Sequence, residues 1–342
     1  MLLVRLLSKF SIDGFVLAIF AMVGVATILP ATGAGVVVLD WATKAAIAAL
    51  FFIYGARLSP AQAWQGVKHW RLHTVILVTT FVVFPLLGLA LRVLVPGVLS
   101  EQLYAGVLFL CLVPSTVQSS IAFTSIARGN VGGAIVSASF SNLLGVFLTP
   151  LLVVALMHTT GEARIDPGAA VAIVGQLLVP FLLGQLARPW IGQWLTRHAL
   201  PVKLVDRGSI LLVVYAAFSA GMREDIWSKV GVGDILVLLA VSAVLFAVVA
   251  GIATGTGRLF GFPREDRIVI LFAGSKKSLA SGLPMAAVLF GGTDVGLMVL
   301  PLMLFHQLQL IACAVIAQRL GRQAEERERT EVAPAVSARA AG

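Results

Sequence analysis

The chain has 342 residues, 59% of them hydrophobic and 12% charged, with a formal net charge of +9 and a mean hydropathy of +0.98. Soluble domains carry about 25% charged residues, so this composition excludes a soluble protein and indicates an all-α polytopic membrane protein. The basic excess falls in loops on one side of a membrane, which argues against nucleic acid as a partner, and no Walker or glycine-rich nucleotide loop is present, which argues against ATP-driven transport. Cys111 and Cys313 both sit in apolar runs and give neither zinc spacing nor a disulfide framework.

Arg5 and Lys9 precede an apolar run from Phe15 to about Pro30. It reads as the first crossing, although a signal peptide has the same outline. Crossings two and three run from about Trp41 to Leu58 and from Leu72 to Leu94. The fourth, Val107 to Arg128, starts apolar and turns polar at Pro114-Ser115-Thr116 and Gln118-Ser119-Ser120. The fifth spans Val131 to Met157, and a polar loop from His158 to Pro167 divides the chain. Crossing six spans Ala169 to Leu186, seven Leu204 to Met222, and eight Ile235 to about Thr256. Crossing nine, Ile268 to Gly291, carries Gly274-Ser275-Lys276-Lys277-Ser278, then Ser281-Gly282 and Pro284. Crossing ten spans Val295 to Ala317, and the tail mixes Arg and Glu before becoming rich in Ala and Ser. The tail is expected to be a short helix extension that frays into disorder. The expected division is a first five-helix repeat over 1–160, a second over 161–322, and a cytoplasmic tail over 323–342.

Lys and Arg placement sets the orientation. Arg57, Lys68, Arg71, Arg128, Arg188, Arg197, Lys203, Arg207, Arg258, Arg264 and Arg267 fall on one side, together with Arg5 and Lys9. The other side holds Arg92, Arg164, Arg223 and Lys229. Both termini are therefore expected in the cytoplasm of a protein integral to a plasma or inner membrane. That requires an even number of crossings, which ten satisfies. Five crossings per half is odd, so the halves lie with opposite orientation.

Two lysines at mid-membrane cost about 2.5–3.5 kcal/mol each on insertion scales, which marks crossing nine as part of a site. Interrupted crossings at corresponding places in two halves point to the binding site of a transporter built from repeats. The candidate substrate- or ion-binding residues are Ser115, Thr116, Gln118, Ser119 and Ser120 in crossing four, with Ser275, Lys276, Lys277, Ser278 and Ser281 in crossing nine. Half-helix N-termini add N–H groups and partial positive charge, so the set suits an anion. His306 and Gln307 in crossing ten, near Gln309, are either substrate-facing or interhelical hydrogen-bonding groups. Ser141 and Asn142 in crossing five carry the same two readings. Thr79, Thr80, Gln176 and Gln185 read as packing contacts. The membrane-depth inventory holds no paired carboxylates and no His-x-x-His spacing, so no catalytic residues, metal or cofactor are expected and the chain is not read as an enzyme.

On Pro114 to Ser120, Ala127-Arg128-Gly129-Asn130 and Ser275 to Pro284, the chain resembles the bile acid:sodium symporter superfamily, and more closely its SBF-like branch, from Leu6 to Arg322. The resemblance implies ten helices in two inverted five-helix repeats. These make a panel (crossings one, two, six and seven) and a core (three to five and eight to ten), with crossings four and nine unwound where they pass. It also implies secondary transport by alternating access. Sodium-coupled members hold cations with a Ser-Asn pair in crossing four, hydroxyls in crossing five and a carboxylate in crossing nine. The matching positions here are Ser119-Ser120, then Ala134 and Ala138, then a place near Ser275. All sixteen acidic residues lie in loops or near helix ends, so sodium coupling is not expected from the residues, and the coupling ion stays open between sodium, proton and none. One lysine takes the place of the missing cation by donating to crossing-four carbonyls, or gives up its proton in one conformation. Adjacent helical residues diverge by about 100°, so one lysine is expected to face the crossing point and the other water or a polar cavity, with Lys276 favoured as the inward one. The substrate class is an amphipathic organic anion, bile-acid-like or another carboxylate or sulfate. The other partner is the lipid bilayer. The vertebrate relatives implied by the resemblance supply the alternative of a non-transporting membrane regulator of ion homeostasis.

Overall fold

The computed structural model describes residues 14–57, 69–157, 167–223, 230–290 and 295–340. Among them there is no strand. In chain order the helices are α1 (Gly14–Ile28), α2 (Ala34–Arg57), α3 (Trp70–Leu94), α4 (Glu101–Leu112), α5 (Gln118–Ile126), α6 (Val131–Met157) and α7 (Pro167–Arg197). They continue as α8 (Ala199–Arg223), α9 (Val232–Leu259), α10 (Arg264–Gly274), α11 (Leu279–Leu289) and α12 (Val295–Ala340). Among the described residues six stretches are long and apolar enough to cross a membrane: α2, α3, α6, α8, α9 and Val295–Glu326 of α12. The chain is a multi-pass, all-helical membrane protein. Arg5, Lys9, Lys68, Arg164, Lys229 and the loop 158–166 lie outside the described residues.

Boundaries differ from the sequence reading most at α2, α7 and α12. α2 begins at Ala34 and takes in Asp40 and Lys44, which pair at 2.8 Å one turn apart. α7 runs on to Arg197 through Pro189, so Trp190 and Trp194 stand on a helix, 80% and 52% exposed. α12 does not fray after its apolar run but is helical to Ala340. Its extension is rich in Ala, Glu, Arg and Gln, which favour helix.

The other interruptions have local causes. α4 stops at Leu112 because Pro114 follows, and a residue before proline is pushed out of the helical region; Val113 is extended at ψ 156. α10 stops at Gly274, a poor helix former, and Ser278 restarts the chain as the cap of α11, accepting from the Ser281 N–H at 3.1 Å. Ser100 and Asn130 cap α4 and α6 in the same way. α3 carries a π-helical segment at Thr79–Val83 in which the Phe84 N–H reaches back five residues to the Thr79 carbonyl.

The helices pack as two groups. α1, α2, α7 and α8 lie on one another, while α3 to α6 and α9 to α12 form the second group. The α2–α7 contact is the closest approach in the first group. A Cβ on Gly55 would run into the Phe181 carbonyl, and one on Gly184 into the Phe52 carbonyl. The two glycines thus interlock helix backbones reciprocally, as small residues do where helices meet in a bilayer. In the second group the turn after α5 ties three helices at one end. Arg264 donates to the Ala127 and Leu320 carbonyls at 3.3 and 2.8 Å. Asn130 donates to Asp266 at 2.8 Å while capping α6.

Gly55→Ala and Gly184→Ala are each expected to lower the melting temperature of the purified protein, since neither carbonyl can move aside. Overpacking of this kind costs about 1–3 kcal/mol. Gly251→Ala, where an added Cβ meets nothing within 4 Å, is expected to leave the melting temperature unchanged or raise it slightly, as exposed helical Gly→Ala changes do.

Candidate functional site

The second helix group contains two helix–break–helix pairs, α4–α5 and α10–α11, and their breaks touch. A helix end leaves its last carbonyls and first N–H groups without partners, and at membrane depth these must be satisfied inside the protein. Several of them find partners across the contact. The Ser115 hydroxyl donates to the Ala273 carbonyl at 2.5 Å, and the Ser120 hydroxyl to the Phe272 carbonyl at 3.1 Å. In return the Ser278 N–H donates to the Pro114 carbonyl at 2.8 Å. Ser275 turns back onto its own helix, its hydroxyl donating to the Leu271 carbonyl at 2.5 Å.

Neighbouring helices supply the remaining partners. The Asn142 amide on α6 donates to the Ser115 carbonyl at 2.8 Å and accepts from the Ser281 hydroxyl at 2.7 Å, so one side chain joins both breaks. Ser141 accepts from the Ser115 N–H at 3.0 Å, and Thr149 donates to the Leu112 carbonyl at 2.9 Å. On α12 the buried Gln309 amide pairs with both backbone groups of Lys277. Its oxygen accepts from the Lys277 N–H, and its nitrogen donates to the Lys277 carbonyl, each at 2.8 Å. That fixes the amide orientation. The same nitrogen lies 2.8 Å from His306 Nδ1, which therefore accepts.

Both lysines are fully buried. Lys277 is the one that meets crossing-four carbonyls. Its Nζ donates to Cys111 and Val113 at 2.8 Å each and to the Thr80 carbonyl of α3 at 2.9 Å. The Phe84 ring centroid lies 4.1 Å from the same nitrogen. Lys276 Nζ takes the opposite direction. It donates to the Ser119 hydroxyl at 3.1 Å and rests on the Phe123 and Phe272 rings at 4.6 and 5.8 Å. This corrects the expectation that Lys276 faces the crossing carbonyls and Lys277 faces water. The 100° divergence of helical neighbours does not apply, because 275–278 is not helix.

The candidate hydroxyls divide accordingly. Ser115, Ser120, Ser275, Ser278 and Ser281 are buried and engaged in closing the two breaks. Thr116, exposed Gln118 and Ser119 lie at the start of α5; Ser119 accepts from Lys276, and Thr116 pairs with Ser119 at 2.8 Å. His306 and Gln307 are half-buried on α12. Among the described residues no Asp or Glu is buried. Asp206 amends the reading of acidic residues as terminal, since it stands two turns inside α8, half-buried, and accepts from the Tyr54 hydroxyl at 3.1 Å.

Sequence reasoning treated Thr80 as packing, and its hydroxyl is, donating to the Ile76 carbonyl at 2.8 Å. Its carbonyl is what matters. In the π register set by Phe84 and Thr79, the next donor to Thr80 would be Pro85, which has no N–H. A threonine five residues before a proline was the available signal. Buried His73, 2.8 Å from the Ser137 hydroxyl, was also passed over, and nothing links it to the crossing.

A cavity of about 410 Å³ lies between the two helix groups, with walls from α2, α8, α11 and α12. It is mostly apolar, with Val36, Ile47, Val213 and Val288 on its walls, and carries Asp40, Lys44 and Arg223.

Known proteins match this sequence along nearly the whole chain. The family model for the SBF-like CPA transporter family matches residues 13–322. The chain belongs to the SBF-like CPA transporter family. It is 51% identical over 318 residues to "Uncharacterized protein PA2026" of Pseudomonas aeruginosa, covering 93% of this chain and 96% of the relative. It is 48% identical over 319 residues to "Putative symporter YfeH" of Escherichia coli K12, covering 92% and 95%. Sodium/bile acid cotransporter 7 of Rattus norvegicus is 27% identical over 326 residues, covering 91% and 93%. The chain is thus a membrane-embedded transporter of the bile acid:sodium symporter kind, in contact with lipid and a small-molecule substrate, and is not an enzyme.

Gln309→Ala strips both backbone groups of Lys277 of their partner, and each buried polar group left unmatched costs about 1–3 kcal/mol. A marked loss of thermal stability in detergent is expected for Gln309→Ala and little change for the half-buried neighbour Gln307→Ala. Equal melting temperatures for the two variants would show that Gln309 does not hold the break.

Proposed function

We propose that the protein is a secondary transporter of an amphipathic organic anion that works by alternating access without sodium. The observation that carries this reading is the pair of buried ammonium groups at the contact of two broken helices, with no buried carboxylate among the described residues. The ten-crossing reading, with two inverted five-helix repeats, counts α4–α5 and α10–α11 as one crossing each. The panel is α1, α2, α7 and α8, and the core is the other helix group. The termini are cytoplasmic in a plasma or inner membrane, so the cavity between panel and core opens on the side poor in Lys and Arg.

An anion is favoured over a cation because two ammonium groups repel a cation, while an anion entering near Lys276 offsets a charge now matched by one hydroxyl and two aromatic rings. Lys276, Ser119, Thr116 and Gln118 are the proposed contacts for the charged head. An apolar wall of the kind seen in the cavity suits a hydrophobic body. The name of the rat relative makes a bile acid the first probe to try. By the resemblance, the positions of the hydroxyl and carboxylate ligands that sodium-coupled members use correspond here to Ala134, Ala138 and a place near Ser275, so those positions lack the carboxylate and crossing-five hydroxyls a sodium ion would use.

Uptake of a labelled bile acid into proteoliposomes tests this under a sodium gradient, a proton gradient and neither. Uptake is expected to be independent of sodium and to fall by about tenfold or more in Lys276→Ala, the size of one lost charge-assisted contact. Uptake that requires sodium would overturn the coupling proposal. Uptake untouched by Lys276→Ala would overturn the assigned head-group site. Absence of flux for every anion of this class would favour a membrane regulator instead.

A further inference from the structure

The three carbonyls around Lys277 Nζ are free for reasons that do not involve the lysine. Thr80 lacks a helical donor because of the π turn and Pro85. Cys111 and Val113 lie at the open end of α4. Distances of 2.8, 2.8 and 2.9 Å lie in the N–H···O range, and an ammonium group has three donors to give. The Phe84 ring covers the same nitrogen at 4.1 Å, as aromatic faces do in ammonium-recognising sites. The backbone and one ring therefore build an ammonium cage from α3 and α4, and α10–α11 delivers the ammonium on a tether.

We infer that the Thr80, Cys111 and Val113 carbonyls with the Phe84 ring form a monovalent-cation site of the ammonium type, permanently filled by Lys277, and that shortening this side chain opens the site to a free alkylammonium ion. The site differs from the hydroxyl and carboxylate sodium positions of the sodium-coupled members, since every oxygen in it is a main-chain carbonyl. Only the consequence for uptake rests on the transporter reading; binding can be tested without any substrate.

Lys277→Ala removes three methylene groups and the ammonium, a fragment that n-propylammonium reproduces. The variant is extracted and purified in the chloride salt of n-propylammonium, sodium or choline at equal ionic strength, and its thermal unfolding is followed. The expected result is a saturable rise in melting temperature with n-propylammonium, weaker with ammonium, and absent with choline, while wild type responds to none of them. Recovery of Lys277→Ala only when n-propylammonium is present during extraction is the same result in stronger form. Lys277→Met fills the cage without donors and is expected to be less stable than wild type and indifferent to every salt. The inference falls if n-propylammonium does no more than choline, or if sodium is the better stabiliser. It also falls if Lys277→Ala cannot be recovered with n-propylammonium under conditions that yield Lys277→Met. In proteoliposomes, uptake by Lys277→Ala is expected to require n-propylammonium. Stabilisation without restored uptake would leave the cage standing and count against the transport reading alone.

Discussion

A backbone break inside a bilayer is tolerable only if every N–H and C=O it frees finds a partner in the protein, because lipid offers none. Neither α4–α5 nor α10–α11 meets that condition alone. Laid against each other, and with α3, α6 and α12 beside them, they find partners for much of what they free. Hydroxyls of the first pair cover carbonyls of the second, and an N–H of the second covers a carbonyl of the first. Asn142 and Gln309 then lock the contact from α6 and α12, each using an amide that both donates and accepts. Six helical elements and α3 are thereby joined through one polar contact, and this group is expected to move as a unit against α1, α2, α7 and α8.

The two lysines solve the cost of a buried charge differently. Three carbonyls and a ring match the Lys277 ammonium completely. Removing it would leave three acceptors unpaired, so its role in holding the crossing together is not separable from its charge. Lys276 has one hydroxyl and two ring faces, a softer match that an incoming anion can improve. The adjacent residues are therefore unequal, one built into the scaffold and one left with bonding capacity.

Much of this was legible in the sequence, and the limits have physical causes. Six of the expected spans followed from hydropathy, and the breaks from Pro114, Gly274 and the costly lysines. That the two lysines point apart was legible, but the angular rule says nothing of which one meets the crossing carbonyls, and the inward preference for Lys276 had no partner in the sequence to rest on. The Thr80 carbonyl was hidden because sequence patterns describe side chains, and here the main chain is the ligand; only the spacing from Thr80 to Pro85 pointed to it. Asn142 and Gln309 were noticed as polar residues in apolar helices. Their partners lie far along the chain, at Ser115 and Lys277, and periodicity within one helix cannot show a pairing between helices. The extent of α12 was missed for the opposite reason: its charged extension has helix-forming composition, and the loss of apolar character was taken for the loss of structure.

The use made of the hydroxyls bears on selectivity. Sequence reading offered a row of serines as donors to a ligand, but Ser115, Ser120, Ser275, Ser278 and Ser281 are spent on the breaks. Few neutral donors are left beside Lys276. A site that hydrogen-bonds each polar group of its ligand rejects analogues by about 10⁴–10⁵-fold, whereas an apolar pocket separates near-isosteres by only about 10–200-fold. Under the proposed reading, a carrier with one ammonium group left with bonding capacity, among apolar surroundings, sorts by charge and bulk rather than by the pattern of hydroxyls on its substrate. Related anions of similar size are then carried at comparable rates, and a neutral analogue of the same shape loses the one interaction that pays for leaving water.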